Sequence, residues 1–193
     1  MLGTLHELKT WLLNPDLVKR TDYDNAIAQL GLGVAAQFET ACNRKFARAQ
    51  RNRIIGGYLC NLVLDTYPVE GKPVIEVTDE PPHWEPAQDT LEKFHPHSGI
   101  VWLKPTDAEL RRIIWTGGYF IDYTDEKTTP LPETATPLPE DLRLAWLQQC
   151  EHIWTKHQKL GVPINTTLST AEVTQTFLPS VETTLRAYRR LNL

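Results

Sequence analysis

Three histidines lie close together near the middle of the 193-residue chain, at His83, His95 and His97. Imidazole rings two residues apart on a strand point to the same side and could share a metal ion. Pro96 separates the second and third histidines, however, and no carboxylate or cysteine completes a recognisable ligand spacing. The segment therefore favours a loop, and a small metal-binding enzyme that uses these three histidines is kept as an alternative.

Two glycine pairs, Gly56-Gly57 and Gly117-Gly118, raise the question of phosphate binding. A phosphate cradle needs a following Lys-Ser/Thr pair and a helix that starts directly behind the glycines, because the backbone donors and the helix terminus bind the ligand. Neither feature follows these pairs, so both are predicted to end strands in turns. No serine lies in a G-x-S-x-G turn. We predict no catalytic residue, no cofactor and no metal, and hence no enzyme.

Composition restricts the remaining classes of function. The net charge of −4 and the pI near 5.9 argue against a protein that grips nucleic acid, which needs many cations against phosphates. The N-terminus lacks the pattern of a signal peptide, and no apolar run reaches the length of a membrane span. We therefore expect a protein kept in a cytoplasm-like compartment.

Cys42, Cys60 and Cys150 form no CxxC pair and are predicted to be small buried apolar residues.

Hydrophobic spacing predicts helices at three places in the chain, 4–13, 22–45 and 140–159. Short apolar runs broken by Gly and Pro predict a β-rich insert over 48–123. The expected fold class is therefore α+β, a small antiparallel helical bundle with an inserted β-rich segment and extended loops.

The predicted domain organisation is a core over 1–160, followed by a C-terminal arm with a short helix over 161–193. Within the core, 100–103 and 112–115 look like paired strands, and 79–96 is expected to be a proline-broken surface loop. Gly31 and Gly33 weaken the second helix by roughly 1 kcal/mol each, which suggests close approach of another helix. The Arg111-Arg112 pair is interpreted as solvated.

Four stretches of the sequence, taken in order, carry a resemblance to a known family. They are LHELKTWL with a helix ending in FETACNRKF; LVLDTYPVEGKPVIEV; IIWTGGY followed by PLPEDLRLAWLQQCEHIW; and LPSVETTLRAYRR. They are similar to the N-terminal helices, the strand pair, the junction before the long helix and the C-terminal tail of the head–tail connector, or adaptor, family of tailed bacteriophages. The resemblance covers most of the chain, except 79–96 and 161–176.

The resemblance implies a structural virion protein. Such adaptors form a ring, typically dodecameric, beneath the portal at the neck, after assembly in the host cytoplasm. The ring extends the DNA channel, through which DNA passes without specific binding, and presents a surface to the stopper or tail protein. No membrane is involved. A tail-completion or stopper-type neck protein is the alternative within the same class.

Contact surfaces are expected at the polar edges of the fold, where loops and arms that order on assembly defer their entropy cost. The C-terminal segment 178–193 is expected to bind the portal through Leu185, Tyr188, Arg189 and Arg190. The loop 79–96 and the proline-rich loop 128–140 are expected to meet neighbouring subunits or a tail protein through Trp84, Pro130, Pro132 and Pro137.

Overall fold

The structure is a computed structural model that describes residues 1–122, 130–159 and 176–190. These residues divide into two compact units, a helical unit and a β unit. The helical unit is built mainly from described residues of Met1–Asn43 and Pro137–Arg189, and the β unit mainly from Arg44–Phe120. Helices and antiparallel sheets are both present, so the predicted α+β class is confirmed.

Five helices are described, and the four longer ones follow apolar repeats of helical period. They are α1 (Leu5–Leu12), α2 (Pro15–Val18), α3 (Asp24–Cys42), α4 (Glu140–Lys159) and α5 (Pro179–Tyr188). The hydroxyl oxygen of Thr4 accepts a hydrogen bond from the backbone N–H of Glu7 at 3.0 Å and so caps α1. Asn43 adopts the left-handed conformation, with φ of 51°, and ends α3.

The core of the helical unit lies between α1, α3, α4 and α5. It contains the buried side chains of Leu8, Ile27, Leu30, Val34, Phe38, Leu142, Trp146, Ile153, Val181 and Leu185. Gly31 allows the close approach expected from the sequence, because a Cβ there would lie 2.9 Å from Leu8 and 3.0 Å from Trp146. The indole N–H of Trp146 donates to the Gly31 carbonyl oxygen at 3.0 Å.

Nine short strands are described, and most of them form two sheets in the β unit. They are β1 (Ala49–Gly56), β2 (Asn61–Val63), β3 (Val69–Thr78), β4 (Glu85–Pro86), β5 (Leu91–His95), β6 (Ile100–Leu103), β7 (Leu110–Gly117), β8 (Tyr119–Phe120) and β9 (Thr136–Pro137). The four-stranded sheet has the order β1-β7-β3-β4, the three-stranded sheet has the order β2-β6-β5, and β8 pairs with β9. Apolar side chains of the two larger sheets form one buried cluster.

Two predictions about the strands are wrong. The segments 100–103 and 112–115 are strands, but β6 pairs with β2 and β5, whereas β7 pairs with β1 and β3. The segment 79–96 is not only a loop, because it contains β4 and β5. These strands are short and mostly exposed, so they carry little of the apolar alternation that identifies a strand.

The cysteine prediction is partly wrong. Cys42 and Cys150 are buried, and burial raises the pKa of the Cys150 thiol. Cys60 is exposed beside the start of β2, so it does not act as a core residue. Among the described residues, no helix combines the length and the apolar character needed to cross a bilayer.

Candidate functional site

The stretches NRKF, TYP and TGGY are far apart in the sequence but meet in the β unit. Arg44 is buried, and its guanidinium lies over the ring of Tyr67 at 3.5 Å from the centroid. The rings of Phe46 and Tyr119 lie at 5.2 and 5.4 Å from the same guanidinium. We call Arg44, Phe46, Tyr67 and Tyr119 the aromatic cage. Phe46 and Tyr119 also stack on each other, with centroids 6.4 Å apart.

The aromatic cage keeps the positive charge of the Arg44 guanidinium away from water. The Arg44 guanidinium donates to the backbone carbonyl oxygen of Tyr67, while its Nε has no hydrogen-bond partner among the described residues. Cation–π attraction is strongest when the cation is desolvated, which offsets part of the cost of burying Arg44. The four residues of the aromatic cage therefore act inside the fold, where they stabilise the part of the β unit in which the three stretches meet.

The pair Gly117-Gly118 lies in the same part of the β unit. β7 ends at Gly117, and Gly118 has a φ of +97°, so the predicted strand-ending turn is confirmed. A Cβ on Gly117 would lie 2.6 Å from the carbonyl oxygen of Thr66, and one on Gly118 would lie 2.7 Å from that of Ala47. Backbone segments approach too closely here for any side chain, and this explains why glycines occupy both positions.

The four residues expected to bind the portal differ in exposure. Leu185 is 1% exposed and packs inside the helical unit, so its side chain stabilises α5 and is not available to a partner. Tyr188 is half-buried, and its hydroxyl donates to the Asp141 carboxylate at 2.6 Å. Arg189 is exposed, and Arg190 is half-buried. Of the four, Arg189 is therefore the most accessible side chain.

The four residues expected at subunit or tail contacts also differ in exposure. Trp84 is half-buried and lies over the guanidinium of Arg112 at 4.5 Å, so one face of its ring is already covered. Pro130 and Pro137 are exposed, and Pro132 is half-buried. The remainder of the proline-rich loop that falls on 128–129 lies outside the described residues.

The proline-rich loop is fastened to the β unit near its middle. Ala135 is buried, and the Thr134 hydroxyl donates to the Glu70 carboxylate at 3.3 Å. Glu70 also accepts two hydrogen bonds from Arg48, at 2.5 and 2.8 Å. The hydrogen bonds from the Arg48 guanidinium hold the pKa of the Glu70 carboxyl below its usual 4.5. This part of the loop is therefore ordered by the chain itself.

Sequence reasoning missed Arg111, which the structure places among the buried side chains. Its guanidinium donates to the carbonyl oxygens of Leu59 at 3.1 Å and Lys104 at 2.7 Å, and burial lowers its pKa. Arg112 is ion-paired with Glu76 at 2.5 Å, so neither arginine is simply solvated. The alternation of β7 could have revealed this, because Arg111 has the same parity as Ile113 and Trp115.

The three histidines do not form a metal site. His83, His95 and His97 are all exposed, and the His95 ring contacts the Trp102 ring edge-on at 5.2 Å. Within residues 1–122, 130–159 and 176–190, no three His, Cys, Asp or Glu side chains come together in a way that could hold a metal ion.

Comparisons with known proteins identify the fold. A chain in the structure of the neck of an empty gene transfer agent particle, computed with C6 symmetry, superposes with a TM-score of 0.63. The chain has the fold of a particle-neck protein. The identity is 13%, and the superposition covers 100% of this chain and 91% of that chain.

A second solved structure agrees. A chain in the virion of the native gene transfer agent particle superposes with a TM-score of 0.63 at 12% identity, over 100% of this chain and 91% of that chain. No model of a protein family matches the sequence, and no curated protein matches it. At this identity the comparisons concern the fold alone.

Proposed function

We propose that the chain is a structural subunit of a virion neck, an adaptor that forms a ring between the portal vertex and the tail and extends the DNA channel. The observation that supports this most is the superposition on a chain of a particle-neck structure over the full length of this chain. Both the helical unit and the β unit are included in that match, so it does not depend on one common motif.

The arrangement of the fold suits such a role. The four residues of the aromatic cage are buried and stabilise the β unit, so contacts with partners must come from exposed side chains elsewhere. The net charge of −4 suits a channel wall that lets DNA slide past, because a strongly basic wall would retain the phosphates. We therefore propose that the protein has a structural role in the assembly of the neck.

Helix α5 is the proposed portal-binding element. Val181 and Leu185 fix its inner side in the helical unit, so its outer side is presented on a rigid support. Tyr188 is anchored to Asp141 at the end of the helix, and exposed Arg189 follows directly. A guanidinium in this position can form bidentate hydrogen bonds with a carboxylate of the portal.

Reconstitution with the portal protein encoded in the same genome tests the function. We expect electron microscopy to show a symmetric ring on the portal. We also expect a metal assay of the purified protein to find no bound metal ion. A protein that forms no complex with portal but binds an isolated tail instead would support the stopper or tail-completion alternative. Stoichiometric zinc or iron bound by the three histidines would contradict the proposal and favour the small metal-binding enzyme.

Point variants on α5 test the portal contact more sharply than removal of the segment. Arg189→Glu should weaken portal binding about tenfold or more, because it replaces an attraction with a repulsion at the interface. Lys19→Glu is the control, since Lys19 is exposed in the same helical unit but outside α5, and the change in charge equals that of Arg189→Glu. Equal portal affinity for both variants would place the contact elsewhere.

A further inference from the structure

The strand β1 is an open and basic edge of the four-stranded sheet. Within the described part of the chain it pairs with β7 alone, and its residues 50–54 are all exposed. Arg51 and Arg53 lie on the same side of the strand, and neither forms an ion pair with another described residue. The edge therefore offers two unneutralised cations together with unused backbone hydrogen-bonding groups.

These two cations also restrict what can bind the edge. Two copies of β1 that paired with each other would bring arginines of both copies together, and like charges across a strand pair are destabilising. A symmetric dimer through this edge is therefore disfavoured. An acidic surface is the complementary partner.

The opposite edge of the same sheet is acidic. β4 forms this edge, and exposed acids lie in it and on both sides of it, at Glu80, Glu85 and Asp89. None of the three forms an ion pair with another described residue. The sheet order β1-β7-β3-β4 places three strand spacings between the two edges, roughly 14 Å. One sheet thus carries opposite charges on its two edges.

We propose that neighbouring subunits of the ring contact each other through this sheet, with the β1 edge of one copy against the β4 edge of the next. A contact between two different surfaces of the same chain is head-to-tail, and repetition of such a contact closes a ring when the rotation between neighbours divides a full turn. The proposal rests on the proposed function, because it assigns the contact that a ring of identical subunits needs. Trp84, stacked on Arg112 beside β4, stiffens the acidic edge.

Charge reversal on each edge tests the proposal. The variants are Arg51→Glu with Arg53→Glu on the basic edge and Glu80→Lys with Glu85→Lys on the acidic edge. Each double variant is mixed with the wild-type portal, and ring assembly is measured. We expect each double variant to need about tenfold more subunit for half-maximal ring assembly, because attraction becomes repulsion at several pairs. Lys72→Glu with Lys104→Glu is the control, since both lysines are exposed in the β unit and the change in charge equals that of the basic-edge variant.

Two rescue experiments make the test specific. A chain with all four reversals should form rings again, because its edges are still opposite in charge. A mixture of the two double variants should also assemble, into rings in which the variants alternate. Rings that form normally from the basic-edge variant would overturn the proposal, and lower affinity of that variant for double-stranded DNA would then assign Arg51 and Arg53 to the channel wall. Failure of the wild-type protein to form any ring would instead contradict the proposed function.

Discussion

The guanidinium of Arg44 lies 3.5 Å from the centroid of the Tyr67 ring and donates a hydrogen bond to the backbone carbonyl oxygen of the same residue. Arg44 thus contacts Tyr67 in two ways: the face of its guanidinium stacks on the ring, and an N–H group binds the backbone carbonyl oxygen. Because the site is buried, the arrangement needs a planar cation with several donors, which lysine does not provide.

Replacement of Arg44 should therefore lower the stability of the β unit. We expect Arg44→Lys to reduce the free energy of unfolding by about 2 kcal/mol, since the ammonium loses the stacking and keeps the cost of burial. Chemical denaturation followed by circular dichroism measures the change. Arg53→Lys is the control, because this exposed arginine makes no described ion pair, and its substitution should change stability by less than about 0.5 kcal/mol. A tolerated Arg44→Lys would show that the stacking is not needed.

The helices and the location of the β-rich insert could be predicted because each depends on local pattern. The apolar repeat that identified α4, for example, is the one that buries Trp146 and Ile153. Strand pairing could not be predicted, because β1 and β2 follow each other in the chain but join different sheets. That choice depends on which long-range partners bury the same apolar cluster, and local sequence does not encode it.

The candidate site likewise could be predicted from the sequence only in part. NRKF and TGGY carry the resemblance, but the sequence does not show their physical role, since only the folded chain brings Arg44 to Tyr119. The pattern contained information about exposure. Leu185 has the spacing of an inward residue and is buried, and Arg111, which its charge alone suggests is solvated, has the parity of the buried residues of β7 and is buried too. One of its two carbonyl partners, Leu59, is 52 residues away in the sequence.

Two glycines with positive φ allow a direct test of the turn after β7. Gly118→Ala should destabilise the protein by about 3 kcal/mol or more, because strain at φ of +97° adds to contact with the Ala47 backbone. Gly71→Ala is the matched control, with φ of +64° and no atom within 4 Å of the added carbon. It should cost only the strain, about 1–2 kcal/mol. Equal losses in thermal unfolding would mean that close approach at Gly118 is unimportant.

The ion pair of Arg48 with Glu70 should make stability depend on acid pH. The pKa of Glu70 is lower in the folded chain than its usual 4.5, so the stabilisation is complete above the unfolded value and is lost as pH falls through the folded value. At pH 7 we expect Glu70→Gln to be less stable than the wild type by up to about 1 kcal/mol, because Arg48 is partly exposed. At pH 2.5 the difference should shrink, as Glu70 becomes protonated.

Denaturant unfolding at several pH values measures this difference. Glu133→Gln is the control, since Glu133 is exposed in the proline-rich loop next to Thr134, and its substitution should give a small difference that does not change with pH. A difference for Glu70→Gln that does not change between pH 7 and pH 2.5 would contradict the assignment of the pair.

The buried side of α5 predicts that the C-terminal segment supports the fold as well as any partner contact. Leu185→Ala should lower the free energy of unfolding by about 3 kcal/mol, because it removes a side chain that is 1% exposed and leaves a cavity in the helical unit. Arg189→Ala should change it by less than about 0.5 kcal/mol, since Arg189 is exposed. Thermal unfolding distinguishes the two.

Removal of every residue after Phe177 should then lower the melting temperature before any portal is added, since Val181 and Leu185 are both lost from the core. Loss of portal binding by that truncated chain would therefore report unfolding together with loss of contact. A truncated chain that melts like the wild type would show that α5 is only a binding element, held in place by the portal.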